Sequence, residues 1–134
     1  MSYAISTTVQ QPYDAVVARV RAALADQGFG VLTEIDVQAT MKAKLDTDIA
    51  AQVILGACRP PLALAALQAE PSIGLLLPCN VVVRALDETT TMVEAVDPQT
   101  MVSMTDNAEL QSVADEANQR LRAALDSLAA NSAR

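Results

Sequence analysis

The residues of this chain best suited to chemistry are two cysteines, Cys58 and Cys79. Each is read at the end of a strand and beside prolines, Cys58 before Arg59-Pro60-Pro61 and Cys79 after Pro78. That placement sets both thiols on one rim of a sheet. A thiol pair there can bind a soft metal, with Cu(I) the candidate, cycle through a disulfide, or carry sulfur. The spacing is not that of a CxxC motif, because residues 59–78 lie between the two. The chain has no histidine, so zinc would need carboxylates to complete four ligands. The competing reading makes both cysteines small buried hydrophobes. Met101 and Met104 can add thioethers to a copper site, or simply pack.

The rim carries further candidates. Pro60, Pro61 and Pro78 stiffen the backbone and fix a pocket mouth bounded by Cys58, Arg59, Pro78, Cys79 and Asn80. They also read as plain element boundaries. Arg59, Asn80 and Lys44 are the polar groups suited to gripping an anion, and an arginine can hold a carboxylate or phosphate with two hydrogen bonds. A surface salt bridge explains Arg59 as well. Asp36 and Asp97 could share acid–base work, but Asp36 reads better as a helix cap and Asp97-Pro98 as a turn. Without histidine there is no Ser/His/Asp or Cys/His device. The four glycines are isolated, so no phosphate-cradling loop exists.

These candidates need a scaffold. Tyr3 to Val9 is strand-like, and Tyr13, Val16, Val17, Val20 and Leu24 recur at helical spacing up to Gly28, which suits a left-handed cap. A strand from Phe29 to Ile35 follows, with Phe29, Val31, Thr33 and Ile35 on one side. Asp36 caps a short helix to about Leu45. Residues 51–57 form a buried strand, and a helix over residues 62–70 is opened by Pro61. Cys79 to Ala85 and Thr90 to Val96 form a hairpin. Asp106 and Glu109 resemble a capping box that opens a long final helix, with Leu110, Val113, Ala117, Leu121 and Leu128 on one face. The tail from Asn131 reads as frayed.

Two long helices bracket the strands. The expected fold class is α+β: a curved antiparallel sheet of about five strands, both long helices on one face, plus two short helices. A parallel α/β layout is the alternative.

The chain has 134 residues, a length that suits one domain over residues 1–134. It is 51% hydrophobic and 19% charged, which is a globular composition. A domain of this size buries about 65–70% of its unfolded surface, enough for a core without staples. Tyr3, Tyr13 and Phe29 are the whole aromatic set, so the core is aliphatic and offers few stacking platforms. The net charge of −7, with no basic cluster, argues against nucleic acid and against anionic membrane surfaces. No signal-like start or bilayer-length apolar run is visible, which sets the cytoplasm, where the thiols stay reduced, as the expected location.

The stretch Leu55-Gly56-Ala57-Cys58-Arg59-Pro60-Pro61-Leu62-Ala63, with Leu75-Leu76-Leu77-Pro78-Cys79-Asn80-Val81-Val82-Val83, resembles the signature of the domain of unknown function 302 family. Glu70-Pro71-Ser72-Ile73-Gly74, residues 29–36 and Val96-Asp97-Pro98 support it. The resemblance spans roughly residues 2 to 130. It implies a TATA-binding-protein-like α+β architecture and a homodimer, and it carries over no catalytic residue and no support for DNA binding. Asp46 stands where the family often has Gly, and Arg59 where it often has Asn.

The expected function is a non-catalytic domain binding a small molecule or soft metal at the rim, with Cys58 and Cys79 as metal ligands. A thiol-dependent redox or sulfur-handling protein is one alternative, and a structural dimeric interaction module another. Conventional enzymatic activity ranks last.

Overall fold

The computed structural model describes residues 3–132, with side chains to residue 129. Five strands, β1 (Ala4–Val9), β2 (Gly30–Asp36), β3 (Gln52–Cys58), β4 (Cys79–Ala85) and β5 (Thr91–Val96), form one antiparallel sheet in the order β1-β5-β4-β3-β2. Helices α1 (Tyr13–Asp26) and α5 (Gln111–Ser132) pack against one another and against the sheet. The short helices are α2 (Val37–Leu45), α3 (Pro60–Ala69) and α4 (Gln99–Thr105), with 3-10 turns at Pro71–Leu76 and Ala108–Leu110. This is the α+β architecture expected from the sequence. The parallel alternative does not occur. Helix α5 continues through Asn131, where the tail was expected to fray; Ala133 and Arg134 lie outside the described residues.

Strand alternation decides what the helices cover. Val53, Leu55 and Ala57 of β3 and Cys79, Val81 and Val83 of β4 turn inward and are buried. They meet Val16, Val20 and Leu24 of α1 and Leu121, Leu125 and Leu128 of α5 in the main core. A second, smaller core lies beyond the rim of the sheet, where Ala66, Ile73, Met101, Leu110, Val113 and Ala114 pack together. Only α5 contributes buried residues to both.

Helix α1 ends as its glycine requires. Gly28 has φ +83° and its N–H donates to Ala25 O at 2.9 Å, while the Phe29 N–H donates to Leu24 O at 3.0 Å. That reversal drops Phe29 into the core at 5% exposure.

Three details differ from the sequence reading. The register of β2 against β3 shifts between Val31 and Thr33, so a bulge splits the side expected to hold Phe29, Val31, Thr33 and Ile35. Phe29 and Val31 pack with the core, whereas Ile35 is 50% exposed. Helix α4 was not expected. Its presence converts Asp106 from the opening cap of the last helix into the left-handed residue (φ 52°) that closes α4. Asn107 does the capping instead, its Oδ1 accepting from the Glu109 N–H at 2.9 Å.

One glycine fixes the rim. A Cβ on Gly56 would lie 2.7 Å from Pro78 Cγ and would overlap the Thr33 hydroxyl. Both neighbours belong to packed strands or to the segment that enters β4, so neither yields freely. Gly56→Ala is therefore expected to destabilise the fold by about 1–3 kcal/mol, and adding Thr33→Ala should recover part of the loss. Urea denaturation of the single and double variants checks this; an unchanged midpoint for Gly56→Ala refutes the packing described.

Candidate functional site

The rim expected from the sequence exists. Cys58 is the last residue of β3 and Cys79 the first of β4, and the two strands are neighbours. Ala57 pairs with Cys79, so Cys58 stands one residue past that pair. Successive strand residues point to opposite faces, which places Cys79 toward the helices and Cys58 toward the uncovered face. Both cysteines are free. The expected cysteine pair is corrected on this point: the thiols share a rim without converging.

A cavity of about 30 Å³ opens at this rim, along the seam between the two cores. Phe29, Ala57 and Cys79 wall it from the main core, and Ala66, Met101 and Val113 from the smaller one. Leu62, Ala63, Leu77, Ala117 and the rim residues Cys58, Arg59 and Pro78 complete it. Arg59 is the one charged residue in the lining. The volume corresponds to one or two water-sized groups, and an apolar wall leaves such a space dry. Four of the five expected rim residues, Cys58, Arg59, Pro78 and Cys79, thus meet at one cavity. Asn80 does not: it pairs with Gly56, is exposed, and lies outside the lining.

Burial governs the chemistry of Cys79. Loss of solvent pushes its thiol up to about 11, and the nearby Cys58 adds to the shift. At neutral pH the group is a protonated, weakly polar wall element. A nucleophilic thiol needs the opposite, an electropositive setting that favours thiolate. As sulfur donors for a soft metal, the cavity lining offers Cys58, Cys79 and Met101, while Met104 is 69% exposed and outside the lining. No group of three His, Cys, Asp or Glu side chains that could hold a metal ion occurs among the described residues.

Arg59 is tied to α5. Its Nη1 lies 3.6 Å from Glu116 Oε2, which also accepts from Arg120 Nε at 2.9 Å. Arg120 Nη1 reaches Gln27 O at 3.4 Å. The Arg59 side chain passes Gly28 so closely that a Cβ there would sit 2.9 Å from Nε. Lys44 lies exposed on α2 and takes no part. The two aspartates stay apart, at β2 and beyond β5. Asp36 caps α2, accepting from the Ala39 N–H at 2.9 Å. Asp97 accepts from the Gln99 N–H at 2.9 Å and from Asn118 Nδ2 at 2.8 Å. Both carboxylates serve as structural acceptors.

The sequence profile of "Domain of unknown function DUF302" matches residues 5–128. The chain belongs to the DUF302 family. Its fold is similar to that in a crystal structure of an uncharacterised conserved DUF302 protein from Bacillus stearothermophilus, with a TM-score of 0.86 and 28% identity over 94% of this chain and 98% of that one. Comparison with curated proteins finds no match.

The raised thiol has a consequence for this DUF302 chain. A protonated Cys79 stabilises the folded state below the unfolded-state value near 9.0, and that contribution is lost as pH rises toward about 11. Between about pH 8 and about pH 10.5 the wild type should lose on the order of 2 kcal/mol more stability than Cys79→Val. Chemical denaturation at the two pH values checks it; equal losses in both proteins refute a buried neutral thiol.

Proposed function

We propose that this DUF302 domain is a non-catalytic binding protein whose site is the rim cavity, and that its ligand is a small, largely apolar molecule. The observation that carries this reading is the cavity itself. It lies where two cores meet and it joins four of the rim residues singled out by type and spacing. Concave apolar pockets with a few placed polar groups are the usual form of small-molecule sites. The small volume restricts the enclosed part of the ligand to a few heavy atoms. Redox or sulfur-transfer chemistry is less well supported, because Cys79 holds its proton and the two cysteines are free rather than joined. Cu(I) stands as the second occupant, for one reason: Cys58, Cys79 and Met101 bring two thiols and a thioether to the same lining.

The proposal includes a homodimer. The face of the sheet away from α1 and α5 carries Ile35, half exposed, with Ile54 and Val82 partly exposed beside it. No helix among the described residues is long and apolar enough to cross a membrane. A reducing cytoplasm is the compartment this reading takes, since both thiols are free.

Methionine methyl NMR tests the site with 1-butanol as probe. The Met101 methyl should shift saturably while the exposed Met104 methyl stays still, and Ala117→Leu, which fills the cavity, should remove the Met101 response. Parallel, unsaturating shifts at both methionines would overturn the reading, whereas a bound copper in native mass spectrometry after Cu(I) addition would favour the second occupant. Light scattering tests the dimer: a two-chain mass is expected for the wild type and a one-chain mass for Ile54→Lys. A monomeric wild type rejects it.

A further inference from the structure

The two edges of the sheet differ. At one, β1 buries Ile5 and Val9 and shows Ser6 and Thr8 to solvent. At the other, β2 pairs only with β3, so its outer N–H and C=O groups have no strand partner among the described residues. Strand β2 runs seven residues without a lysine or proline, two usual guards of an open edge. Its bulge interrupts the first half only, and Thr33 to Asp36 keep an unbroken register with β3. Every residue of β2 except Val31 is exposed, Leu32 at 66% and Ile35 at 50%. Helix α2, which follows directly, buries no residue. Beside this edge lies a concavity of about 230 Å³ lined by Tyr13, Asp14, Val17, Glu34, Asp36 and Val53. Its three carboxylates are met by one cation, Arg21, which pairs with Glu34, so the group carries a net charge of −2, three negative less one positive. Burial, and then the nearness of Asp36, Asp14 and Glu34, raises the Tyr13 phenol above its ordinary value.

We infer that β2 is a docking edge for an extended basic peptide, which adds to the sheet as a sixth strand beside residues 33–36. Glu34 and Asp36 pair with Leu55 and Val53, both core residues, so the two carboxylates stand on the helix-covered side. Thr33 and Ile35 stand on the other side. Side chains of an added strand alternate in the same way. Two basic residues separated by one position therefore meet Glu34 and Asp36, and an apolar residue between them lies beside Ile35. The recognised pattern is basic, apolar, basic, with main-chain hydrogen bonds supplying the rest of the attachment. Charge decides between a peptide and a second copy. Self-pairing of β2 would set Glu34 and Asp36 of both copies along one seam, whereas a basic strand brings the opposite sign. This site is separate from the rim cavity and stands without it.

The test titrates the full chain with the acetylated hexapeptide Thr-Lys-Val-Lys-Val-Thr and with its counterpart carrying Glu for Lys, following backbone amide resonances. The lysine peptide should bind roughly tenfold tighter, the worth of two exposed ion pairs, and that preference should shrink at high salt. Shifts should centre on residues 33–36. Methylating alternate backbone nitrogens of the peptide should abolish binding in one frame and spare it in the other, since only every second amide of an added strand points at β2. Asp14→Asn should weaken the lysine peptide by about threefold, and Arg21→Gln, which releases Glu34, should tighten it by about the same factor. Equal affinities for the two peptides, no saturable shift with either, or tolerance of methylation in both frames overturns the proposal. So does slow hydrogen exchange of the outward β2 amides before any peptide is added, because a second copy then holds the edge.

Discussion

The pairing of β3 with β4 is the constraint on which the rest depends. With Ala57 opposite Cys79, every other residue near the rim has its face decided. Cys79 goes to the core and Cys58 to the open side. Gly56 falls beneath Pro78 and Thr33, where no side chain fits. Arg59 leaves the strand at a point from which its side chain passes Gly28 and reaches α5. A shift of β4 by one residue would turn Cys79 outward and Asn80 and Arg84 toward the core. The hydrophobic pattern of β4, with Val81 and Val83 fully buried, forbids that shift.

The cavity is a product of composition as well as register. Small residues line the seam, with Ala57, Ala66 and Ala117 where larger aliphatics would fill it. The chain supplies one phenylalanine and places it there. Among the lining residues, polar groups are confined to Arg59 and the two cysteines, Cys58 and Cys79. Such a space offers no acid–base device. The carboxylates that chemistry would need are engaged elsewhere, Asp36 in a helix cap and Asp97 in a turn that also receives Asn118.

Much of the fold was legible because its signals are local. The 3.6-residue spacing of Val16, Val20 and Leu24, the left-handed requirement at Gly28, and Pro78 as the entry to β4 each name an element without reference to distant residues. What was not legible depends on contacts across the chain. The bulge at Leu32 is a property of two strands together. Asp106 and Glu109 carry the pattern of a helix opening, and only the presence of α4 turns Asp106 into a helix end. At the site, residue types pointed to the rim, and four of the five residues meet there. The face of each cysteine, the partnership of Arg59 with Glu116, and the exclusion of Asn80 follow from register. Alanines carry no chemical signal, so Ala66 and Ala117 could not be singled out as walls.

Helix α5 is the roof beam of both cores, and the seam beneath it is a natural parting line. The smaller core contains six buried residues against nineteen in the main one, so it has far less apolar surface to expose when it separates. Its detachment would be a sub-global opening, one that need not disturb the sheet, α1 or the distal half of α5. A molecule enclosed at the parting line would fasten the two cores together from within. Occupancy would then be felt as rigidity of the whole α3–α4 lobe, whose Leu62, Ala66 and Met101 line the cavity.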